Sequence, residues 1–76
     1  MTEVEWLDEF GKQLERRLEY AWMNRAELAN ATGISQATIS RYILGQQKPT
    51  VVNIINIARA LDCSIDILID FGEDIR

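Results

Sequence analysis

Apolar residues recur every three or four positions along most of the chain, which is the spacing of a helical face. The first such stripe lies opposite a charged face and comprises Val4, Leu7, Phe10, Leu14, Leu18 and Trp22. Thr2 and Glu5 have capping-box spacing, so the pattern predicts a first helix that begins near Thr2 and ends at about Trp22. Gly11 is expected to be a tolerated weak point inside this helix. Because no alternating β-branched run is present, the pattern predicts an all-α fold.

Two short helices are predicted next, because start and stop residues bracket each apolar cluster. Asn24 predicts the start of a second helix that ends at Gly33, where a left-handed turn is easy for glycine. Ser35 predicts the start of a third helix that is closed by Gly45. The inward-facing residues are expected to be Leu28, Ala29, Ile39, Tyr42 and Ile43.

The last two helices follow a polar loop. Thr50 is expected to cap a fourth helix, and Ser64 a fifth, with Asp66 placed favourably in the first turn. Cys63 lies in the turn between them and is expected to be buried as a small hydrophobe. The apolar face of the fourth helix is expected to comprise Val51, Ile54, Ile55, Ala58 and Leu61. Five short helices with tight loops predict a compact five-helix bundle that forms one domain over residues 1–76.

Composition excludes most catalytic and metal chemistry. The 76 residues include no histidine, and Cys63 is the only cysteine, so Cys–His and Ser–His pairs cannot form. We therefore expect neither an enzyme nor a bound metal or other cofactor. A lone thiol, no apolar leader and no apolar run of 18 residues predict a cytoplasmic protein without membrane contact.

Charge is distributed unevenly along the chain. The net charge is −4, which taken alone argues against nucleic-acid binding. The middle segment 22–49 nevertheless carries one acid and three bases, whereas residues 1–21 carry six acids and three bases. Residues 50–76 are acidic as well, with five acids and two bases. Because the centre is positive between acidic ends, the net charge does not exclude a nucleic-acid partner.

Residues 25–44, RAELANATGISQATISRYIL, have the spacing of a helix-turn-helix. A small residue is needed where the two helices meet, and Ala29 stands there. A glycine is needed in the turn four residues later, and Gly33 fits. An aliphatic anchor is needed on the following helix, and Ile39 stands six residues beyond the glycine. With Gly45, Pro49 and the run IARAL, the segment from about residue 10 to residue 69 resembles the phage repressor/Cro (Xre-type) family of helix-turn-helix regulators.

The resemblance implies a lambda-repressor-like fold in which residues 36–44 form the recognition helix in the major groove. By position, it implies base-edge contacts from Gln36, Ala37 and Arg41. It implies phosphate contacts from Asn24, Arg25, Thr38, Tyr42, Gln46, Gln47 and Lys48, with help from helix N-termini. Leu44 departs from the family's usual polar residue, and the loop holds a single lysine. Binding is therefore expected to be modest in affinity and strongly salt-sensitive.

The fifth helix carries more apolar surface than a small core requires. Ile67 and Phe71 lie off the stripe that closes the core, so residues 65–71 predict a two-fold dimer contact. A second copy would also supplement the marginal core of so short a chain.

The sequence thus predicts a sequence-specific DNA-binding transcriptional regulator, a repressor or Cro-like protein, that binds a palindromic operator as a dimer. Double-stranded DNA and a second copy of the chain are the expected partners. Two alternatives remain open, an antitoxin of a toxin–antitoxin pair and an interaction module that has lost DNA binding. In both, the acidic first helix would bind a protein partner. The resemblance also suggests a phage or other mobile-element origin.

Overall fold

The computed structural model describes residues 1–71, and this range contains five α-helices and no strand. The helices are α1 (Glu3–Tyr20), α2 (Arg25–Thr32), α3 (Gln36–Ile43), α4 (Val51–Ala60) and α5 (Ile65–Ile69). The predicted all-α bundle is therefore confirmed. In the described part of the chain, no helix combines the length and hydrophobicity needed to cross a membrane.

The predicted helix starts are confirmed, and their side chains explain them. Thr2 and Asn24 each form a complete capping box with the glutamate three residues later. The hydroxyls of Ser35 and Thr50 accept the backbone N–H three residues on, at 3.1 and 3.0 Å. Ser64 occupies the cap position of α5 but makes no side-chain cap hydrogen bond, so that part of the prediction was wrong.

The first four helices end in left-handed residues, not all of which are glycine, whereas α5 ends at Asp70 in an extended conformation. Gly33 and Gly45 have φ of +76° and +71°, as expected at such ends. Trp22 and Asp62 adopt the same conformation after α1 and α4, at φ of +55° and +52°. At Trp22 the Schellman pair is complete, because its N–H reaches Glu19 and the next N–H reaches Leu18. Helix α1 therefore stops two residues before the predicted end.

One core joins all five helices. Its fully buried side chains are Phe10, Leu14, Leu28, Ile39, Ile57 and Leu68, with Tyr42 at 1% exposure. Three residues predicted to face inward are instead exposed: Val4 at 69%, Trp22 at 93% and Val51 at 72%. Each lies at or beyond an end of its helix, where the stripe extends past the neighbouring helices. Ile57, which the predicted face of α4 omitted, is completely buried.

Gly11 is a packing residue and not the weak point that the sequence suggested. It is buried where α1 crosses the end of α3. A Cβ atom at this position would lie 2.7 Å from the carbonyl oxygen of Tyr42 and closer still to that of Ile43. The two backbones can approach this closely only because residue 11 has no side chain. This contact sets the position of α1 beside the helix-turn-helix.

Aromatic rings pack along α1 near its N-terminal half. Trp6 stacks on Phe10 at a centroid distance of 5.3 Å, and Phe10 meets Tyr42 edge-on at 5.9 Å. Phe71 packs against Trp6 at 5.8 Å. The ring predicted to face a partner subunit is thus partly covered within its own chain, whereas Ile67 is half-buried on α5.

Candidate nucleic-acid interface

Helices α2 and α3 and the turn between them form the helix-turn-helix that residues 25–44 predicted. Gly33 makes the left-handed turn, and the backbone N–H of Ile34 donates to the Thr32 hydroxyl at 3.2 Å. Ile34 and Leu28 fill the angle under the turn with 8% and 0% exposure. The turn is therefore fixed by buried side chains, and the outer face of α3 is presented on a rigid support.

The outer face of α3 carries all three residues predicted to read bases. Gln36, Ala37 and Arg41 are exposed. Leu44 follows Arg41 by three positions and is 60% exposed, so an apolar side chain shares this face. The combination of an amide, a methyl, a guanidinium and an isobutyl group is suited to base edges and thymine methyls in a major groove.

Arg41 is held in place by neutral neighbours. Its Nε donates to Oε1 of Gln47 at 2.7 Å, and its Nη2 donates to the Thr38 hydroxyl at 3.2 Å. The Ser35 hydroxyl donates to the same Thr38 oxygen at 2.8 Å. These contacts use two of the five guanidinium donors, so others remain for a ligand. The charge is therefore oriented but not neutralised by these partners.

Arg25 at the start of α2 is oriented differently. Its Nη1 donates to the Ser40 hydroxyl at 3.2 Å, while its Nη2 lies 3.6 Å from a carboxylate oxygen of Glu15 on α1. Asn24 is exposed, and its side-chain oxygen accepts the N–H of Glu27 at 2.8 Å as the helix cap. Arg25 is thus linked to α3 through Ser40, and both residues already have intramolecular partners.

The loop after α3 brings three more of the predicted residues to this side of the molecule. The N–H of Gln46 donates to the Arg41 carbonyl at 2.8 Å, which closes α3 in a Schellman arrangement with Gly45. Gln46 and Lys48 are exposed, and Gln47 is half-buried against Arg41. Lys48 forms an ion pair with Glu3 of α1, with 2.6 Å between Nζ and Oε1.

Tyr42 does not lie at the interface. Its side chain is 1% exposed, and its hydroxyl accepts a hydrogen bond from Nδ2 of Asn53 on α4 at 2.8 Å. This burial is incompatible with the phosphate contact that the resemblance implied for Tyr42. Tyr42 instead ties α3 to α4, because the apolar ring fills the core while the hydroxyl is satisfied by a half-buried amide.

Cys63 lines a shallow groove of about 450 Å³ away from α3, together with Arg17, Tyr20 and Met23. The thiol is half-buried, less than the sequence suggested. Desolvation by burial raises the pKa of Cys63, and the charge of Asp62 adds to this, against the opposing effect of Arg17. A raised pKa keeps the thiol protonated at neutral pH, which disfavours nucleophilic or redox chemistry here. Within residues 1–71, no cluster of three metal-ligating side chains occurs.

The sequence did not reveal the acidic residues that pair with two of the cations predicted to contact phosphates. Glu3 and Glu15 pair with Lys48 and Arg25, across 45 and 10 positions of the chain. No local motif marks such pairs, because they depend on where α1 packs. The hydrogen bond from Arg25 to Ser40 was easier to anticipate, because Ser40 lies on the polar side of α3, fifteen residues after Arg25.

Comparison with known proteins gives the family. The HTH_3 helix-turn-helix family model matches residues 23–68, more than half of the chain, and the chain belongs to this family. This range contains α2, α3 and the loop just described. The resemblance inferred from the residues is therefore confirmed.

Two solved structures share the fold. An HTH_3 family transcriptional regulator from Vibrio cholerae superposes with a TM-score of 0.83 at 24% identity, over 88% of this chain and 38% of that one. The restriction-modification controller protein C.AhdI from Aeromonas hydrophila gives a TM-score of 0.79 at 27% identity. That match covers 82% of this chain and 94% of the controller protein.

One curated relative is similar in sequence over a short part of its length. It is the replication factor C small subunit of Methanocaldococcus jannaschii, 38% identical over 71 residues. The chain spans 88% of its own length in this match but only 4% of the relative. The likeness therefore concerns one small segment of that protein.

Proposed function

We propose that this member of the helix-turn-helix family is a sequence-specific DNA-binding transcriptional regulator, with α3 as its recognition helix. The observation that carries the proposal is the exposed outer face of α3, on which Arg41 is oriented by Thr38 and Gln47 and has no carboxylate partner within residues 1–71. A guanidinium that is fixed in direction and still charged is suited to bidentate contact with guanine.

The other contacts divide into base reading and backbone positioning. Gln36 is proposed to pair with adenine and Ala37 to meet a thymine methyl. Phosphate contacts are proposed for exposed or half-buried residues around α3, namely Asn24, Arg25, Thr38, Gln46, Gln47 and Lys48. These contacts would fix register on the duplex, whereas the α3 side chains would select sequence.

The similar proteins support a regulatory role. The restriction-modification controller protein C.AhdI is matched over 94% of its length, so nearly all of that protein corresponds to this fold. The regulator from Vibrio cholerae supports the fold. We therefore propose that the chain controls transcription, as a repressor or Cro-like protein, and has no catalytic role of its own.

A homodimer on a palindromic operator is part of the proposal. Ile67 is half-buried on α5 and Phe71 is only partly covered by Trp6, so this end keeps apolar surface for a second copy. Sedimentation equilibrium at tens of micromolar would give the mass of a dimer, and Ile67→Asp would shift it toward the monomer. A monomer for the native chain at these concentrations would refute the dimer.

Selection of bound duplexes from a randomised DNA pool at about 50 mM salt tests the function directly. We expect a palindrome to be enriched, and Arg41→Ala to lose or change that preference. Arg16→Ala is the matched control, because it removes the same charge from an exposed position on α1. About six phosphates neutralised by unpaired cations in a dimer would give a log–log salt slope near −5, and the ion pairs within the chain should make the slope shallower.

Two results would refute the proposal. One is the absence of any enriched sequence at low salt, which would turn attention to a basic protein partner for the acidic α1. The other is an equal loss with Arg41→Ala and Arg16→Ala, since binding would then depend on charge and not on α3.

A further inference from the structure

Helix α1 supplies carboxylates to two of the three cations in the positive middle segment, residues 22–49. Lys48 pairs with Glu3 at 2.6 Å, and Arg25 pairs with Glu15 at 3.6 Å. The third cation, Arg41, has Gln47 and Thr38 as its described partners. The two cations proposed for phosphate contact are thus paired with carboxylates, whereas the one proposed for base reading has only neutral partners among the described residues.

This division follows from the way α1 is packed. Glu3 and Glu15 are twelve residues apart on one helix, which is about 18 Å along its axis. One carboxylate therefore reaches the loop after α3, while the other reaches the start of α2. Gly11 lies between them at the close crossing of α1 and α3. That crossing holds both carboxylates beside the helix-turn-helix.

Both ion pairs are accessible to a competing anion. The side chains of Lys48 and Glu3 are 69% and 61% exposed, and those of Arg25 and Glu15 are 38% and 55% exposed. Ion pairs this exposed are weak, so a phosphate can replace the carboxylate. The displaced carboxylate would still lie near the phosphate, well within a Debye length of about 10 Å at 0.1 M salt. Each exchange would therefore release less free energy than binding by an unpaired cation.

We propose that Glu3 and Glu15 compete with DNA phosphates for Lys48 and Arg25, so that α1 attenuates backbone binding and leaves recognition to depend more on Arg41. This inference rests on the proposed DNA-binding function. It assigns two named carboxylates of the acidic helix a role in setting affinity and salt dependence. The ligand and the site are those of the proposed function, namely duplex phosphates at the flanks of α3.

The test measures duplex affinity by fluorescence anisotropy between about 50 and 300 mM salt for Glu3→Gln and Glu15→Gln. Each change is expected to tighten binding about two- to fivefold per subunit at low salt, which is the strength of one exposed ion pair. Each freed cation should also steepen the log–log salt slope by about 0.9. Circular dichroism melts verify that both variants fold.

Glu9→Gln is the matched control. It also removes one negative charge and one exposed ion pair on α1, but the partner is Lys12 of the same helix, 3.5 Å away. A general charge effect would therefore appear equally in Glu9→Gln. A second control repeats Glu3→Gln in a Lys48→Gln background, where the competition has no cation to act on and the gain should disappear.

The outcomes distinguish the role of Glu3 and Glu15 from the proposed DNA-binding function. Tighter binding by Glu3→Gln and Glu15→Gln than by Glu9→Gln, with the first gain lost in the Lys48→Gln background, would support it. Equal affinities for all three variants would overturn it while leaving DNA binding intact. So would a gain from Glu3→Gln that persists without Lys48. Failure of the native chain and every variant to bind duplex would overturn the proposed function itself.

Discussion

Replacing Gly11 by alanine tests how closely α1 and α3 must pack. In an exposed helical position this change is favourable by about 1 kcal/mol, because alanine has the higher helix propensity. At residue 11 the added Cβ would lie 2.7 Å from the Tyr42 carbonyl oxygen and 2.8 Å from the Ile43 carbonyl carbon. Both neighbours are backbone atoms at the end of α3, so neither can rotate away.

The expected result is a net loss of stability. Overpacking of this kind costs about 1–3 kcal/mol, and two rigid backbone contacts place this site at the upper end. Subtracting the propensity gain leaves about 2 kcal/mol. In a domain of this size each kcal/mol lowers Tm by about 4–8 °C, so a fall of roughly 8–16 °C is expected.

Urea denaturation followed by circular dichroism measures the free energy of unfolding, and position 16 provides the reference. Arg16 is exposed on the same helix. Arg16→Ala should be more stable than Arg16→Gly by about 1 kcal/mol, since only propensity acts there. At position 11 the order must reverse, with glycine the more stable. If alanine is favoured at both positions, the close crossing does not limit the packing and the reasoning is wrong.

Three further predictions concern single sites. Trp22→Gly should raise the free energy of unfolding by up to about 1 kcal/mol, and Tm with it. Trp22 is left-handed and 93% exposed, so it contributes strain and little packing. A lower Tm would show that the indole makes a stabilising contact. Thr50→Ala should lower the free energy of unfolding by about 1 kcal/mol, whereas Ser64→Ala, which removes no cap hydrogen bond, should cost less than half as much; equal losses in urea titrations would contradict the cap assignment. Because burial raises the pKa of Cys63, the folded thiol should react with iodoacetamide more slowly at pH 8 than the urea-unfolded chain does. The same shift should contribute stability below the unfolded pKa that is lost as pH rises through the folded one, and equal alkylation rates in both states would refute it.

Local signals predicted the helices well because each signal acts within a few residues. The capping boxes at Thr2 and Asn24 depend on a partner three positions away, and Gly33 depends on its own backbone conformation. The spacing of Gly33 and Ile39 carries the helix-turn-helix for the same reason. The exposed face of α3, with Gln36 and Arg41, could therefore be identified from the residues alone.

Helix faces were less predictable, because burial depends on which neighbouring helix covers each turn. Val4 and Val51 continue an apolar stripe yet are exposed, since no helix within residues 1–71 covers them. Tyr42 was expected to offer its hydroxyl to a DNA phosphate, but Asn53 of α4 donates a hydrogen bond to it inside the bundle. Periodicity gives the direction of a side chain, and the packing of the other helices decides whether it is covered.

The sequence by itself determined the five helices, the turn at Gly33 and the family, since all of these follow from short-range spacing. Only the tertiary structure decided what α1 does. Gly11 reads as a helix-weakening residue until the backbone of α3 is seen against it, and Glu3 reads as a solvated acid until Lys48 lies within 2.6 Å. Contacts between residues more than 30 positions apart depend on how whole helices cross, and that geometry depends on the complete core.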